Sequence, residues 1–428
     1  MKRYFKIQLV LDSFKTIVFR VIGVSMLLGL TLFLPNNYPA DIVGQYDFVR
    51  SFLLVIGSLA LLGTDQSILY FAGRLKSAKL SDEIKYVYLK MVGIILLISL
   101  VILLLILLVD SENVNNYFKD DNVYNLLLKS VIILFFYCIG LLNIEVFRAL
   151  NYLVISEIYR NILKYAPLVV GSVILLFFKI EQYLVDVFLL GFIFIAIISS
   201  LSLYKYLKKD YKKITTETIS FKEVVLKSYP IAISSMAIFM LMSIDVMFLK
   251  KYKSNEVVAY YSVALKFIMI LAMVINTINI NMSSKIAELF NSDKIVELNQ
   301  MLKHGARLIF FLSLPLVLLI VIFPETILSF FGEKYIASKQ ALIIMTISQG
   351  ICTSFGAVTV YLNMTGRQKI FQNVLLISVF INCLLNRLLI PKYGMTGAAI
   401  AFSASLFFWN FIACLLIYKK DKVKIFIR

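Results

Sequence analysis

The 428-residue chain predicts an all-α polytopic membrane protein of about twelve transmembrane helices in two six-helix lobes. Three observations predict it. Hydrophobic residues make up 61% of the chain and charged residues 16%, against about 45–50% and about 25% in soluble domains. Twelve mostly apolar segments reach the ~20 residues that a helix needs to cross a bilayer. The longest basic loop, residues 205–223 (KYLKKDYKKITTETISFKE), follows the sixth segment, where a connector between two repeats belongs. The composition excludes a soluble multidomain enzyme, and 34 Phe with 24 Tyr exclude a disordered chain.

The elements follow in order. The head, MKRYFKIQLVLDSFKTIVFR, is basic, is interrupted by Asp12, Lys15 and Arg20, and is followed by no small-x-small cleavage site. It reads as a tail leading into a permanent first helix at 16–34. Spans follow at 44–63, 86–109, 124–147, 153–178 and 184–204, with an acidic loop (DSENVNNYFKDD) after the third. Beyond the connector come 224–249, 257–281, 306–323, 341–363, 370–390 and 395–418. The expected domains are therefore a lobe at 1–204, a connector at 205–223 and a lobe at 224–428. With the N-terminus inside, the inner segments carry 25 Lys and Arg and the outer loops eight. That asymmetry predicts both termini on the cytoplasmic side, against one basic outer cluster, Lys250, Lys251 and Lys253. The net charge of +18 is then a property of inner loops, and nucleic acid is not an expected partner. The four cysteines sit in apolar runs and His304 is the single histidine, so neither disulfides, a metal nor a cofactor is expected. No loop is long enough for a catalytic domain, so the chain is not expected to be an enzyme.

Several stretches of the second half carry a resemblance. They are Ser243-Ile244-Asp245-Val246-Met247-Phe248-Leu249, Glu256 to Ala264 (EVVAYYSVA), Phe331-Gly332-Glu333-Lys334-Tyr335, Met364-Thr365-Gly366-Arg367-Gln368-Lys369 and Leu389 to Ala401 (LIPKYGMTGAAIA). In order and spacing these resemble the polysaccharide-transporter branch of the multidrug/oligosaccharidyl-lipid/polysaccharide (MOP) superfamily. That branch contains flippases for lipid-linked oligosaccharide repeat units of O-antigen and capsule. Gly44-Gln45-Tyr46 and Leu62-Gly63-Thr64-Asp65 fit it in the first half. One departure is Val258 or Ala259, where the family often has Gly. The resemblance implies a V-shaped pair of lobes around a central, largely cationic cavity. It implies transfer of an undecaprenyl-pyrophosphate-linked oligosaccharide from the inner to the outer leaflet of a bacterial inner membrane by alternating access. Expected partners are that substrate, membrane lipids, a proton or Na⁺ as coupling ion, and glycan polymerase and chain-length proteins. The competing reading is an ion-coupled drug exporter of the same superfamily, which would want an acidic cavity.

A charge at the bilayer centre costs about 2.5–3.5 kcal/mol on insertion scales, so interior charges need a reason. Lys90, Lys129, Lys227, Arg307 and Arg387 lie near helix ends and can snorkel. Glu157, Arg160 and Lys164 are spaced i, i+3, i+7 and would share one face of the fifth helix, either lining the cavity or with Glu157 neutralising Arg160. Arg50 and Lys266 stand at near-equivalent places in two helices whose openings, Val43 to Val49 and Val258 to Ala264, look alike. With Arg20, Arg160 and Lys164 they are the candidate substrate-binding residues. Arg suits two-pronged phosphate contacts and Lys suits a point charge, and snorkelling is the alternative. Asp245 and Glu157 are the candidate ion-coupling carboxylates, the alternative being salt bridges between helices. Glu145 and Arg148, at i, i+3, are expected to pair. Asn276, Thr277, Asn279, Asn281, Ser283 and Ser284 make the inner end of the eighth helix polar, and Asn382 and Asn386 stand at i, i+4. These would bond between helices or meet sugar hydroxyls.

Overall fold

The computed structural model describes residues 2–77, 83–207 and 219–427. Residues 208–218 of the basic connector, and the side chains of Asn281 and Ser284, lie outside the described residues. The described residues are helical almost throughout and hold no strand, because in lipid only a helix or a closed barrel satisfies its own backbone. The helices are α1 (Lys2–Asn37), α2 (Ala40–Leu61), α3 (Thr64–Ser77), α4 (Ile84–Leu107), α5 (Ser111–Phe118), α6 (Val123–Ala149), α7 (Leu153–Ile158) and α8 (Ala166–Phe178). There follow α9 (Leu184–Leu207), α10 (Phe221–Tyr252), α11 (Asn255–Asn291), α12 (Ile295–Ile322), α13 (Pro324–Ser329), α14 (Lys339–Thr353), α15 (Val358–Met364) and α16 (Gln368–Asp421).

Ten stretches among the described residues are long and apolar enough to cross a membrane, and the segment through α14 and α15, bent by 49°, makes an eleventh. The twelfth hides in α16. Its 54 residues would reach about 80 Å as one straight helix, far beyond a hydrocarbon core of about 30 Å. Gly394 breaks it at φ 56°, ψ −129°. The arms fold back on each other: Ser378 donates to the Ser405 carbonyl at 2.8 Å, and a Cβ at Gly397 would lie 2.5 Å from the Leu389 carbonyl oxygen. The expected spans at 370–390 and 395–418 are these arms. Only Gly adopts that Gly394 conformation readily, and a Cβ there would meet nothing closer than Lys253 Cε at 3.5 Å. Gly394→Ala therefore isolates backbone strain. It should lower stability by about 1–3 kcal/mol, read as a drop in thermal stability of protein in lipid nanodiscs.

Two features lay outside the expected spans. The second span does not stop at residue 63. After a break at Leu62 and Gly63, both at positive φ, α3 carries it on to Leu75. The fifth span is not one α-helix. Between α7 and α8 the chain makes a π turn, Tyr159–Leu163, with the Lys164 N–H reaching back five residues to the Tyr159 carbonyl at 3.1 Å. Pro167, at the start of α8, has no N–H for the Leu163 carbonyl and its ring crowds that oxygen, so a regular helix cannot run through.

The chain forms two compact units, one of Met1–Tyr38 and Phe52–Met236, the other of Pro39–Ser51 and Ala237–Arg428. In the first, α6 lies against α3, α4 and α9 and buries Leu134, Cys138, Leu142 and Val146. Asn143 clamps three helices: its carbonyl accepts from Tyr88 Oη at 2.8 Å, and its amide donates to Ser199 and Ser200 at 2.9 Å. In the second, Ile286, Leu298, Leu302, Ile309, Phe371 and Ile417 pack in one apolar core. Pro39–Ser51 belongs there because α2 approaches α11 closely at Gly44, where a Cβ would sit 1.9 Å from the Asn255 carbonyl oxygen. Beside that contact Asn255 donates to Asp41 at 2.7 Å, and Lys250 donates to Asn255.

Candidate functional site

The first unit gathers its interior charges around the π turn. Arg20, on α1, donates to Glu157 Oε1 at 2.6 Å. Arg160 donates to Glu145 of α6, and Arg148 stands 3.7 Å from the same carboxylate. Asn161 donates to the free oxygen of Glu157 at 2.7 Å. The direct ion-pair partner of Arg160 is Glu145 and that of Glu157 is Arg20, with Arg160 still near enough to Glu157 to attract it, and the π turn interrupts the regular α-helical spacing of the three charges. The expected Glu145–Arg148 pair is present, with Arg160 as a third member. Lys164 makes no ion pair among the described residues; its ammonium lies 5.8 Å from the centre of the Tyr165 ring. Four cations, Arg20, Arg148, Arg160 and Lys164, thus stand against three carboxylates: Glu145 and Glu157, both nearly buried, and Asp65 of α3, which lies near enough to Glu145 to repel it. The Arg160 side chain remains 37% exposed, while its Nε is buried with no hydrogen-bond partner.

The second unit brings Arg50 and Lys266 together on a carboxylate that sequence reasoning missed. Asp47, on α2, is fully buried. Its Oδ2 accepts from Lys266 Nζ of α11 at 3.0 Å, and its Oδ1 lies 3.7 Å from Arg50 Nε. The α2 geometry explains this: Asp41, Gly44 and Asp47, spaced by three, lie along the side that meets α11. Arg50 Nε and Asp47 Oδ1 are buried with no hydrogen-bond partner at standard geometry.

Asp245 sits apart on α10, fully buried. Tyr261 Oη of α11 donates to its Oδ2 at 2.9 Å, and Asn386 Nδ2 of α16 donates to its Oδ1 at 2.5 Å. Asn386 is held in turn by Asn382 Oδ1 at 3.0 Å, so the i, i+4 asparagines do bond across helices. No Lys or Arg pairs with Asp245 among the described residues. Its donors are neutral, and a buried anion with only neutral donors needs a proton or a cation. Of the helix-end cations, Lys129 pairs with Asp186 at 2.6 Å, Lys90 donates to the Ile219 carbonyl, and Lys227 lies over the Tyr70 ring. Among the described residues no three His, Cys, Asp or Glu are placed to hold a metal ion.

Known proteins share parts of this sequence and the fold. The model of the family described as "Polysaccharide biosynthesis protein" matches residues 17–281, and the MatE family model matches residues 230–388. The chain is 24% identical over 208 residues to the capsular polysaccharide biosynthesis protein CapF of Staphylococcus aureus, covering 48% of this chain and 52% of that one. It is 35% identical over 104 residues to the uncharacterized membrane protein MJ1068 of Methanocaldococcus jannaschii, covering 23% and 20%. The chain thus spans from a fifth to about half of the curated relatives it matches. Among solved structures, the lipid II flippase MurJ in an inward closed conformation superposes with a TM-score of 0.69 at 15% identity, over 95% of this chain and 87% of that one. The MATE multidrug transporter DinF-BH does so with a TM-score of 0.65 at 15% identity, over 96% and 93%. Both have the fold found here.

Proposed function

The chain belongs to the polysaccharide biosynthesis protein family, in the MOP superfamily of multi-pass membrane proteins, and on that premise we propose that it is a flippase for a lipid-linked oligosaccharide. The passenger is an undecaprenyl-pyrophosphate-linked repeat unit, moved from the inner to the outer leaflet of a bacterial inner membrane, with both termini cytoplasmic. Its glycan serves an O-antigen or a capsule, and polymerase and chain-length proteins take it up. The observation that carries this reading is the net positive cluster around the π turn, four cations against three carboxylates, where the Arg160 side chain is 37% exposed and Lys164 makes no ion pair among the described residues. A diphosphate headgroup loses its hydration on entering the membrane, and fixed guanidinium and ammonium groups offset that loss. The prenyl chain stays in lipid. No bond is made or broken. The similarity to the capsular protein supports the same reading.

A second reading, export of a cationic drug coupled to an ion, draws on the MatE match and on Asp245. A cationic passenger would meet like charge at the π turn, so we rank it second.

The test uses proteoliposomes loaded with a fluorescent undecaprenyl-pyrophosphate oligosaccharide and, separately, with a cationic rhodamine dye. We expect protein-dependent translocation of the lipid-linked saccharide. Ala at Arg160 or Lys164 should slow it about tenfold or more, the loss expected for a charge-assisted contact, while Arg160→Lys keeps part of the rate. Movement of the rhodamine alone would install the second reading. Unchanged rates in both Ala variants would remove the proposed phosphate site.

A further inference from the structure

The second unit contains a cavity of about 300 Å³ among α10, α11, α14, α15 and α16 that neither the charge clusters nor Asp245 explains. Its lining holds no charged side chain. Four amides do line it: Asn276, which is exposed, and Asn279, Gln349 and Asn410, each more than nine-tenths buried. Asn279 Oδ1 has no hydrogen-bond partner. Asn410 spends its amide on the Leu406 carbonyl at 2.8 Å, which leaves its side-chain oxygen as an acceptor. Trp409, the only tryptophan of the chain, supplies a wall and is braced edge-on by Phe371 at 6.0 Å.

We propose that this cavity is a saccharide subsite that takes one uncharged pyranose ring. The physical grounds are a match of chemistry. A sugar ring offers hydroxyls that both donate and accept, as amides do, and an apolar C–H face that suits an indole. An alkyl chain in the same space would leave the buried amides unsatisfied, at a penalty for each. An ionised group would find no counter-charge. The volume is at the lower end of the ~300–1,000 Å³ of small-molecule sites, room for one ring and not for a repeat unit. Calling that ring part of the passenger rests on the flippase reading; the ability of the cavity to bind it does not.

Trp409 makes the cavity report on itself. Full-length protein in lipid nanodiscs, free of maltoside and glucoside detergents that would compete, is titrated with glucose, galactose, mannose, N-acetylglucosamine and N-acetylgalactosamine while its tryptophan emission is followed. Glucuronate and decanol serve as the charged and apolar probes. We expect a saturable change with at least one neutral sugar, weakened about tenfold by Gln349→Leu and by Asn279→Leu, and unaffected by Lys129→Ala. No saturable response to any neutral sugar would overturn the proposal. So would a response to decanol or glucuronate alone, or one that persists unchanged in both Leu variants. If sugar binds and the lipid-linked saccharide does not cross proteoliposomes, the flippase reading fails and the subsite stands. If the saccharide crosses and no sugar binds, the reverse holds.

Discussion

Asp47→Ala should destabilise the protein by about 3–5 kcal/mol, the usual consequence of stranding a buried partner charge. Asp47 is fully buried, and among the described residues it is the carboxylate that pairs with both Lys266 and Arg50. Removing it leaves an ammonium and a guanidinium facing each other in a poorly solvated space. Asp47→Asn keeps the shape and one acceptor but not the charge, so it should fall between wild type and Ala. The double variant Asp47→Leu/Lys266→Met should recover most of the loss, because an apolar pair often replaces a buried ion pair at no net expense. The measurement is the temperature at which half of the nanodisc-held protein loses its monodisperse elution. A single Asp47→Ala variant that elutes like wild type would mean that water already screens these charges. Gly44→Ala should do comparable harm by another route: its Cβ would meet the Asn255 backbone oxygen at 1.9 Å, which separates α2 from α11 and pulls Asp47 out of register with Lys266.

These pairs also mark where sequence reasoning reached its limit. The spans were legible because the bilayer sets their length and apolarity, and a 54-residue helix with Pro391 and Gly394 in its middle still read as two segments. Charge pairing was legible only along one helix. Glu145 and Arg148, three apart, were paired on spacing alone. The same rule offers Arg160 as one possible partner of Glu157, yet the direct ion pair of Glu157 is with Arg20, 137 positions away, while Arg160 pairs with Glu145, 15 positions away across the α6–α7 turn. The deciding feature was the π turn, whose available signal was Pro167 one turn beyond Leu163. Asp47 escaped notice because it stands among apolar neighbours, Tyr46 and Phe48, with Arg50 as its nearest cation in sequence. Its stronger partner is Lys266, 219 positions on, a contact that no local period encodes. The α3 helix was missed because Leu62-Gly63 reads as a stop, whereas the chain takes two positive-φ residues there and resumes.

Asp245→Asn should separate fold from transport, and it is the change with the largest expected effect on activity. Asn retains the side-chain volume; its oxygen accepts from Asn386 while its NH2 donates to the Tyr261 hydroxyl, which can turn to accept, so stability should move by less than about 1 kcal/mol. What it loses is the capacity to be an anion. We propose that Asp245 alternates between a proton or Na⁺ and its neutral cage as transport proceeds, since an intramembrane carboxylate is a functional group by default. A conformational cycle is driven by an ion only if the ion binds its states with different affinity, and Asn binds neither ion well. Initial rates of lipid-linked saccharide translocation, measured with imposed proton and Na⁺ gradients, should therefore fall to the gradient-free rate in the variant. Asp245→Ala should add a stability loss of about 1–3 kcal/mol, because the Tyr261 hydroxyl and the Asn386 amide are left buried without their acceptor. Asp245→Glu keeps the charge on a longer stem and should restore part of the gradient response. If wild type and Asp245→Asn respond alike to both gradients, the carboxylate serves only to tie α10 to α11 and α16, and the coupling group lies elsewhere, with Glu157 the next to test because its Arg20 partner is 56% exposed and can be displaced.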